Sequence, residues 1–402
     1  MRVLIYGGSF NPPHLGHAEA LRAAAEAMSP DRCMVIPAKS PPHKDLDENS
    51  PTPEQRLELA RLAFSDIAQA EVSDLELRRE GKSYTVFTLR EISAVFPAAE
   101  LYFLVGTDML NSIETWYHFR EIFSLCTPVA IARNEGEFAQ LEEIASRLRR
   151  EYGARIVLVR KPPLPMDSTS LRSCLRLRQG RERVSDAVYG EIIRHRYYDA
   201  RPDLVWLREK AYALLKPTRI PHVRGCEQEA VRLAERWGED TGDAAEAAIL
   251  HDITKRQPTE EQLQLCEKYG IITDNFERES PGILHARTGA ALARDLFGVG
   301  DAVYNAIERH TTGLPGMTTL DKIIYLADFT EPTRHFDGLE RVRALTASDL
   351  DLAMIEALRL SMEEVRSRGA VPHPRSTDTL DWLLSEEQKN EKTRQQGQSG
   401  QK

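Results

Sequence analysis

Near the N-terminus the chain reads GGSFNPPHLGH, residues 7–17. Two glycines follow an apolar run, RVLIY, and two histidines flank the start of an alanine-rich helical pattern. Gly7 and Gly8 let the backbone turn sharply off a strand and approach a ligand without Cβ interference. Ser9, His14 and His17 gather around a helix start near Leu15, where free N–H groups and the helix dipole favour an anion. His14 and His17 lie three apart on one face of that first turn and can point at one phosphate. The string is neither GxGxxG nor GK[ST], so it supports neither a Rossmann dinucleotide fingerprint nor a kinase-type phosphate loop.

A second set of reactive residue types is spread through the other half. His222 lies in RIPHVRGCEQEA, and an adjacent His251-Asp252 pair closes a helix in AAILHDITK. His285 follows in GILHARTG, His310 in AIERHTTG and Asp328 in IIYLADFTEP. Imidazole and carboxylate are ligand types that suit iron, manganese and similar divalent ions. Any one of these histidines alone reads more readily as a satisfied core residue. The five cysteines are scattered and form no CxxC pair. They read as reduced, indifferent thiols of a cytosolic protein, neither a disulfide frame nor a zinc knuckle.

The elements that must position these residues differ between the halves. RVLIY, CMVIPA, LYFLVG, PVAIAR and RIVLVR are short, apolar and bounded by Gly, Pro or charge, as buried strands are. Helical patterns such as PEQRLELARLAF separate them, which predicts a doubly wound α/β parallel sheet with ligands beyond the carboxyl ends of its strands. Beyond DARPD, at 199–203, only helical patterns remain, so the second half is expected to be all-α. The boundaries read as 1–200 and 203–386, with a polar, Gln-rich tail over 387–402 expected to be disordered.

With 402 residues, two cores are expected. The net charge of −9 argues against a general binder of nucleic acid or anionic membrane, though a local cationic cluster can still bind small anions. The N-terminus lacks the pattern of a signal peptide, and no apolar run approaches a membrane span. A cytoplasmic protein is the expectation, with homo-oligomerisation left open.

The string GGSFNPPHLGH resembles the signature of the HxGH nucleotidyltransferases, and its leading portion is most similar to nicotinate mononucleotide adenylyltransferases. MDSTSLRSCLR resembles that family's second motif, and IPAKSPPHK, KSYTVFTL, LVGTDMLNSIETWYHF and AIAR follow in matching order across about residues 1–200. The resemblance implies transfer of an adenylyl group from ATP, with Mg²⁺, to nicotinate mononucleotide. It assigns catalysis to His14, His17, Lys44 and Arg172, with Arg172 reaching the triphosphate. Substrate contacts fall to Gly7, Gly8, Ser9, Phe10, Tyr84, Thr85, Gly106, Asp108, Trp116, Arg133, Ser168 and Thr169. Trp116 would stack on the pyridine ring, and Ser168 and Thr169 would cap a helix. The chain departs from the family pattern at Phe87, Arg133–Gly136 and Asp167, the last expected to bring a carboxylate near the phosphates.

The order H…HD…H…H…D resembles the HD superfamily of metal phosphohydrolases. HTTGLPGM with LDKIIYLADFTEPTR is similar to the symmetrical diadenosine tetraphosphatases, with Leu314 where that group often carries arginine. The resemblance implies that His222, His251, Asp252 and Asp328 hold iron or another divalent ion such as Mn²⁺. Asp252 is counted as catalytic, and His285 and His310 complete a second metal position or contact phosphate. Arg334 and the PHPRSTDTLDWL segment are expected to contact nucleotide, and Lys255 is either a phosphate contact or a plain surface lysine. The implied reaction splits diadenosine tetraphosphate into two ADP. The alternatives are a general nucleotidase or a non-catalytic nucleotide sensor in this half.

Overall fold

The computed structural model describes residues 1–41, 49–132, 135–160, 166–279 and 281–399. Contacts divide the chain into two units, Met1–Arg201 and Pro202–Lys402.

The first unit is built on six parallel strands: β1 (Arg2–Gly8), β2 (Arg32–Pro37), β3 (Ala70–Val72), β4 (Glu100–Gly106), β5 (Thr127–Ile131) and β6 (Val157–Val159), in the order β3-β2-β1-β4-β5-β6. Parallel strands covered on both faces read as apolar runs. Along β1, Val3 and Ile5 enter one core with Ile36, Leu89, Phe103 and Leu148, while Leu4 enters the other with Leu21, Val35, Phe64 and Leu104. β3 went unpredicted: three residues, none of them fully buried, leave no apolar run to read.

The strand order reverses between β1 and β4. Gly7 and Gly8 end one strand and Gly106 ends the other, so the glycine loop opens onto the crevice where such sheets bind ligands. The helix Leu15–Met28 follows, burying Ala18, Leu21, Ala24 and Met28 at helical spacing.

In the second unit every regular element among the described residues is helical. The helix Thr241–Leu250 is buried from Ala244 to Leu250, as its alanines, Ile249 and Leu250 require, with Glu246 buried among them. It packs against Ile220–Trp237 and Asp301–Arg309, and Thr319–Thr330 adjoins all three. These helices and Leu284–Phe297 supply the five segments that carry the His and Asp residues.

The final helix runs Pro374–Ser399, although the polar, Gln-rich composition from 387 predicts disorder. Glu, Gln, Lys and Arg are good helix formers, and Lys389 pairs with Glu386 one turn back. A polar composition therefore does not by itself stop this helix.

Two candidate active sites

In the first unit, His14 occupies the N-cap of Leu15–Met28 and its backbone N–H donates to His17 Nδ1 at 3.1 Å. An accepting Nδ1 places the ring proton of neutral His17 on Nε2. The two rings stack at 3.7 Å between centroids. Gly16 makes this packing fit: a Cβ there would lie 3.0 Å from His14 Nδ1. A Cβ on Gly8 would likewise lie 3.0 Å from the ring of Phe10, which is buried in the loop.

Side-chain donors from elsewhere hold the loop carbonyls. Arg56 is fully buried and donates to Ser9 O at 2.8 Å and Lys39 O at 3.1 Å. Arg172 donates to Asn11 O at 2.8 Å, and Ser168 Oγ to Pro12 O at 3.0 Å. Tyr198 donates to the Asn11 side chain at 2.8 Å. The start of the helix Ser168–Arg176 is thus drawn onto the loop that starts Leu15–Met28, bringing two positive helix ends to one place. Arg56 and Tyr198 carry no mark in the sequence, since a lone Arg in PEQRLELARLAF gives no local sign of burial.

The helix cap differs from expectation. Asp167, not Ser168 or Thr169, is the N-cap, accepting from Ser170 N–H at 2.8 Å, while Ser168 and Thr169 are the first helical residues. That backbone bond, followed by the Ser170 hydroxyl, holds the Asp167 carboxyl below its usual range. The carboxylate is therefore engaged as a cap.

Trp116 is half-buried, edge-on to Phe103 at 6.2 Å, and Phe103 in turn floors Gly7. Tyr84 precedes the helix Thr85–Val95 and meets Tyr117 at 4.8 Å, with Phe87 completing the aromatic cluster. Gly106 caps the short helix Thr107–Asn111, in whose first turn Asp108 is exposed. Lys44 and Arg133 lie outside the described residues.

In the second unit all six predicted residues converge. His222 Nε2 lies 3.4 Å from His251 Nε2, 3.0 Å from Asp328 Oδ1 and 3.8 Å from Asp252 Oδ2. His285 Nε2 and His310 Nε2 lie 3.1 Å apart, at 3.2 and 3.9 Å from Asp252 Oδ1. Asp252 therefore stands between the two groups. The His251-Asp252 pair follows the last turn of Thr241–Leu250 directly.

The outer nitrogens decide what the inner ones can do. His251, His285 and His310 each turn Nδ1 to the carbonyl three residues back, Ala248, Gly282 and Ile307, at 2.6–2.7 Å. His222 turns Nδ1 to Glu331 Oε1 at 3.0 Å. Each Nδ1 is thereby the donor, and four Nε2 lone pairs face two carboxylates in a buried space. A cation among them satisfies that arrangement, and orienting contacts of this kind are what metal-ligating histidines carry. The donor set fits a divalent ion.

In the metal-free protein a proton takes part of the cation's place: burial pushes His251 down, but the Asp252 and Asp328 carboxylates outweigh it and hold it above its usual value. Burial pushes Asp252 up, but the facing imidazoles of His251 and His285 outweigh it and hold the carboxyl well below the usual range. Burial, then the His251 and His285 charges, push His310 down to about 3, so it stays neutral.

Four more residues shape this site. Glu331 is buried, and Gly225 makes room for it, since a Cβ there would lie 2.5 Å from its Oε2. Arg219 pairs with Asp252 Oδ2 at 2.5 Å, and Cys226 Sγ lies 3.2 Å from His222 Nε2. These three functional side chains went unread, although each stands three or four residues from a predicted ligand in sequence. Lys255 reaches His285 Nε2 at 3.0 Å, so it is more than a surface lysine. Arg334 binds Asp328 at 2.8 Å. The PHPRSTDTLDWL segment instead packs internally, with Arg375 on Glu308 at 3.1 Å and Thr379 against Gly313.

Comparison with known proteins matches residues 5–173 to the cytidylyltransferase-like family and 219–333 to the HD domain family. A Mycoplasma genitalium protein named nicotinate-nucleotide adenylyltransferase/Ap4A hydrolase is 28% identical over 83% of this chain and 88% of its own. A Bacillus subtilis symmetrical bis(5'-nucleosyl)-tetraphosphatase is 37% identical over 44% of this chain and 98% of its own. A Geobacter sulfurreducens nicotinate-nucleotide adenylyltransferase is 34% identical over 49% of this chain and 98% of its own.

Proposed function

The chain belongs, in its first half, to the nicotinate-nucleotide adenylyltransferases and, in its second, to the symmetrical bis(5'-nucleosyl)-tetraphosphatases, and we infer that one polypeptide carries both activities. A relative of similar span bears both names.

In the first half the reaction joins ATP and nicotinate mononucleotide into nicotinate adenine dinucleotide, releasing pyrophosphate. The attacking oxygen belongs to a phosphate already ionised at neutral pH, so no general base is required. What the protein must supply is alignment and cancellation of charge on the leaving group. His17 offers its Nε2–H, His14 shares its face, and the two converging helix starts add N–H groups. Arg172, held at the loop, and Lys44 add cationic charge, and Mg²⁺ accompanies the ATP. Trp116 and the Tyr84 cluster receive the mononucleotide.

In the second half His222, His251, Asp252 and Asp328 hold a divalent ion, iron or manganese, and His285 and His310 hold a second or bind phosphate. When bound, the ion supplies a water of lowered pKa and polarises a phosphoryl oxygen. Arg219, Lys255 and Arg334, each within 3.0 Å of a ligand atom, provide the charge that a tetraphosphate chain requires. The products are two ADP. The observation that carries this reading is the convergence of four Nε2 atoms whose Nδ1 partners are all acceptors. We place the enzyme in the cytoplasm, in keeping with five free cysteines; no described helix is long and apolar enough to cross a membrane.

The test is to incubate the full chain, loaded with iron or manganese, with diadenosine tetraphosphate and to resolve the products. Two ADP from the native chain and none from a His251→Ala, Asp252→Ala double variant is expected. ATP plus AMP would overturn symmetric cleavage, and tight binding without turnover would make this half a sensor.

A further inference from the structure

Cys226 stands four residues after His222 in Ile220–Trp237, so both side chains leave the same face one turn apart. It is 1% exposed, and its sulfur points at the ligand cluster. Sγ lies 3.2 Å from His222 Nε2 and 4.0 Å from Asp328 Oδ1, and these atoms with His251 Nε2 all fall within 4.8 Å of one another. Donor atoms held at about 2.0–2.3 Å from one ion lie roughly 3–4 Å apart. The separations of 3.2, 3.0, 3.4 and 4.0 Å fit around a single ion.

Resting on the metal reading of the second half, we propose that Cys226 is a thiolate ligand of the ion held by His222, His251 and Asp328. His222 keeps its proton on Nδ1 through Glu331, so the lone pair of Nε2 faces the thiol. On binding, the S–H proton leaves to solvent as the sulfur–metal bond forms, and no electron is transferred. A thiolate among imidazoles and a carboxylate softens the site. It biases the site toward Zn²⁺, Co²⁺ or Fe²⁺ over Mn²⁺, and it makes the ion's retention sensitive to thiol oxidants.

The experiment replaces the ion by Co²⁺ in the full chain and in Cys226→Val, which keeps a small apolar side chain in the helix. The native protein is expected to show an intense sulfur-to-cobalt charge-transfer band in the near ultraviolet beside the visible ligand-field bands. In Cys226→Val the charge-transfer band disappears while the ligand-field bands remain, and the Zn²⁺:Mn²⁺ affinity ratio falls by more than about tenfold, the lower end of what losing even an outer-shell partner costs. Ligand-field bands without a charge-transfer band in the native protein overturn the proposal and leave the metal site standing. Absence of all cobalt bands overturns the metal site itself and this ligand with it. Circular dichroism of the variant separates a lost ligand from a lost fold.

Discussion

Gly225 sits inside the helix Ile220–Trp237, where glycine costs about 1 kcal/mol relative to alanine. Gly225→Ala ought therefore to strengthen that helix. The structure predicts the opposite for the ion. The new Cβ would stand 2.5 Å from Glu331 Oε2, and ordinary contact begins at 3.4 Å, so the carboxylate must withdraw by about 0.9 Å. His222 Nδ1 now meets Glu331 Oε1 at 3.0 Å; a shift of that size takes the pair beyond hydrogen-bond range. His222 then loses the partner that fixes its tautomer and aims Nε2. Loss of such a partner weakens metal binding about 10–100-fold, or about 1.4–2.7 kcal/mol. The lost charge-assisted hydrogen bond, about 1.5–3 kcal/mol, outweighs the gain in propensity, leaving metal-free stability lower by about 0.5–2 kcal/mol. Chelator competition gives the metal affinity and urea unfolding of metal-free protein gives the stability. Glu331→Ala, which removes the acceptor and introduces no clash, should weaken the ion in the same range. Native metal affinity in a folded Gly225→Ala protein would refute the reasoning.

Gly16→Ala should tilt His14, whose Nδ1 would lie 3.0 Å from the new Cβ. Adenylyl transfer falls roughly tenfold, read as nicotinate adenine dinucleotide formed, and tetraphosphate hydrolysis serves as the unaffected control. Arg56→Leu leaves the half-buried Ser9 and Lys39 carbonyls without their donor and removes a fully buried guanidinium. It should destabilise the first unit by about 2–4 kcal/mol, measured by urea unfolding, and raise the KM for ATP. Chelation should abolish production of ADP, while adenylyl transfer returns once Mg²⁺ is restored; hydrolysis persisting after chelation would sink the metal reading. His310, held at about 3, takes up no proton in the folded metal-free protein, while the unfolded chain takes one up below its ordinary value of 6.5. Its contribution to stability is full above 6.5 and declines as pH falls from 6.5 toward 3. Comparing urea unfolding at pH 7 and pH 5 in native and His310→Gln proteins isolates that slope, which the variant should lack.

Much of this molecule is local and therefore legible in the chain. β1 declares itself by an apolar run closed by Gly7 and Gly8, because a strand buried on both faces needs apolar residues throughout and its turn needs freedom at φ and ψ. His14 and His17 are legible because three residues of helix place both on one face. The His251-Asp252 pair is legible because it directly follows a helix apolar enough to be buried. The motif order that marks both families is equally a property of the string.

What stayed hidden depends on partners distant in sequence. Glu331 orients His222 across 109 residues, and only the packing of Thr319–Thr330 against Ile220–Trp237 brings them together. Arg56 reads as a surface residue until the fold seals it beneath the loop at Ser9 and Lys39. Cys226 reads as an indifferent thiol until His251 and Asp328 arrive from other helices. Even the cap of Ser168–Arg176 went to Asp167, because Ser168 is drawn to Pro12, 156 residues away. Sequence by itself determined most of the elements and the two chemistries and pointed to the candidate ligands, since periodicity and turn chemistry act over a few residues. The tertiary structure alone decided which charges meet each histidine and, for His222, which nitrogen it presents, since Glu331 reaches it only through the fold; His251, His285 and His310 take their orientation from carbonyls three residues back.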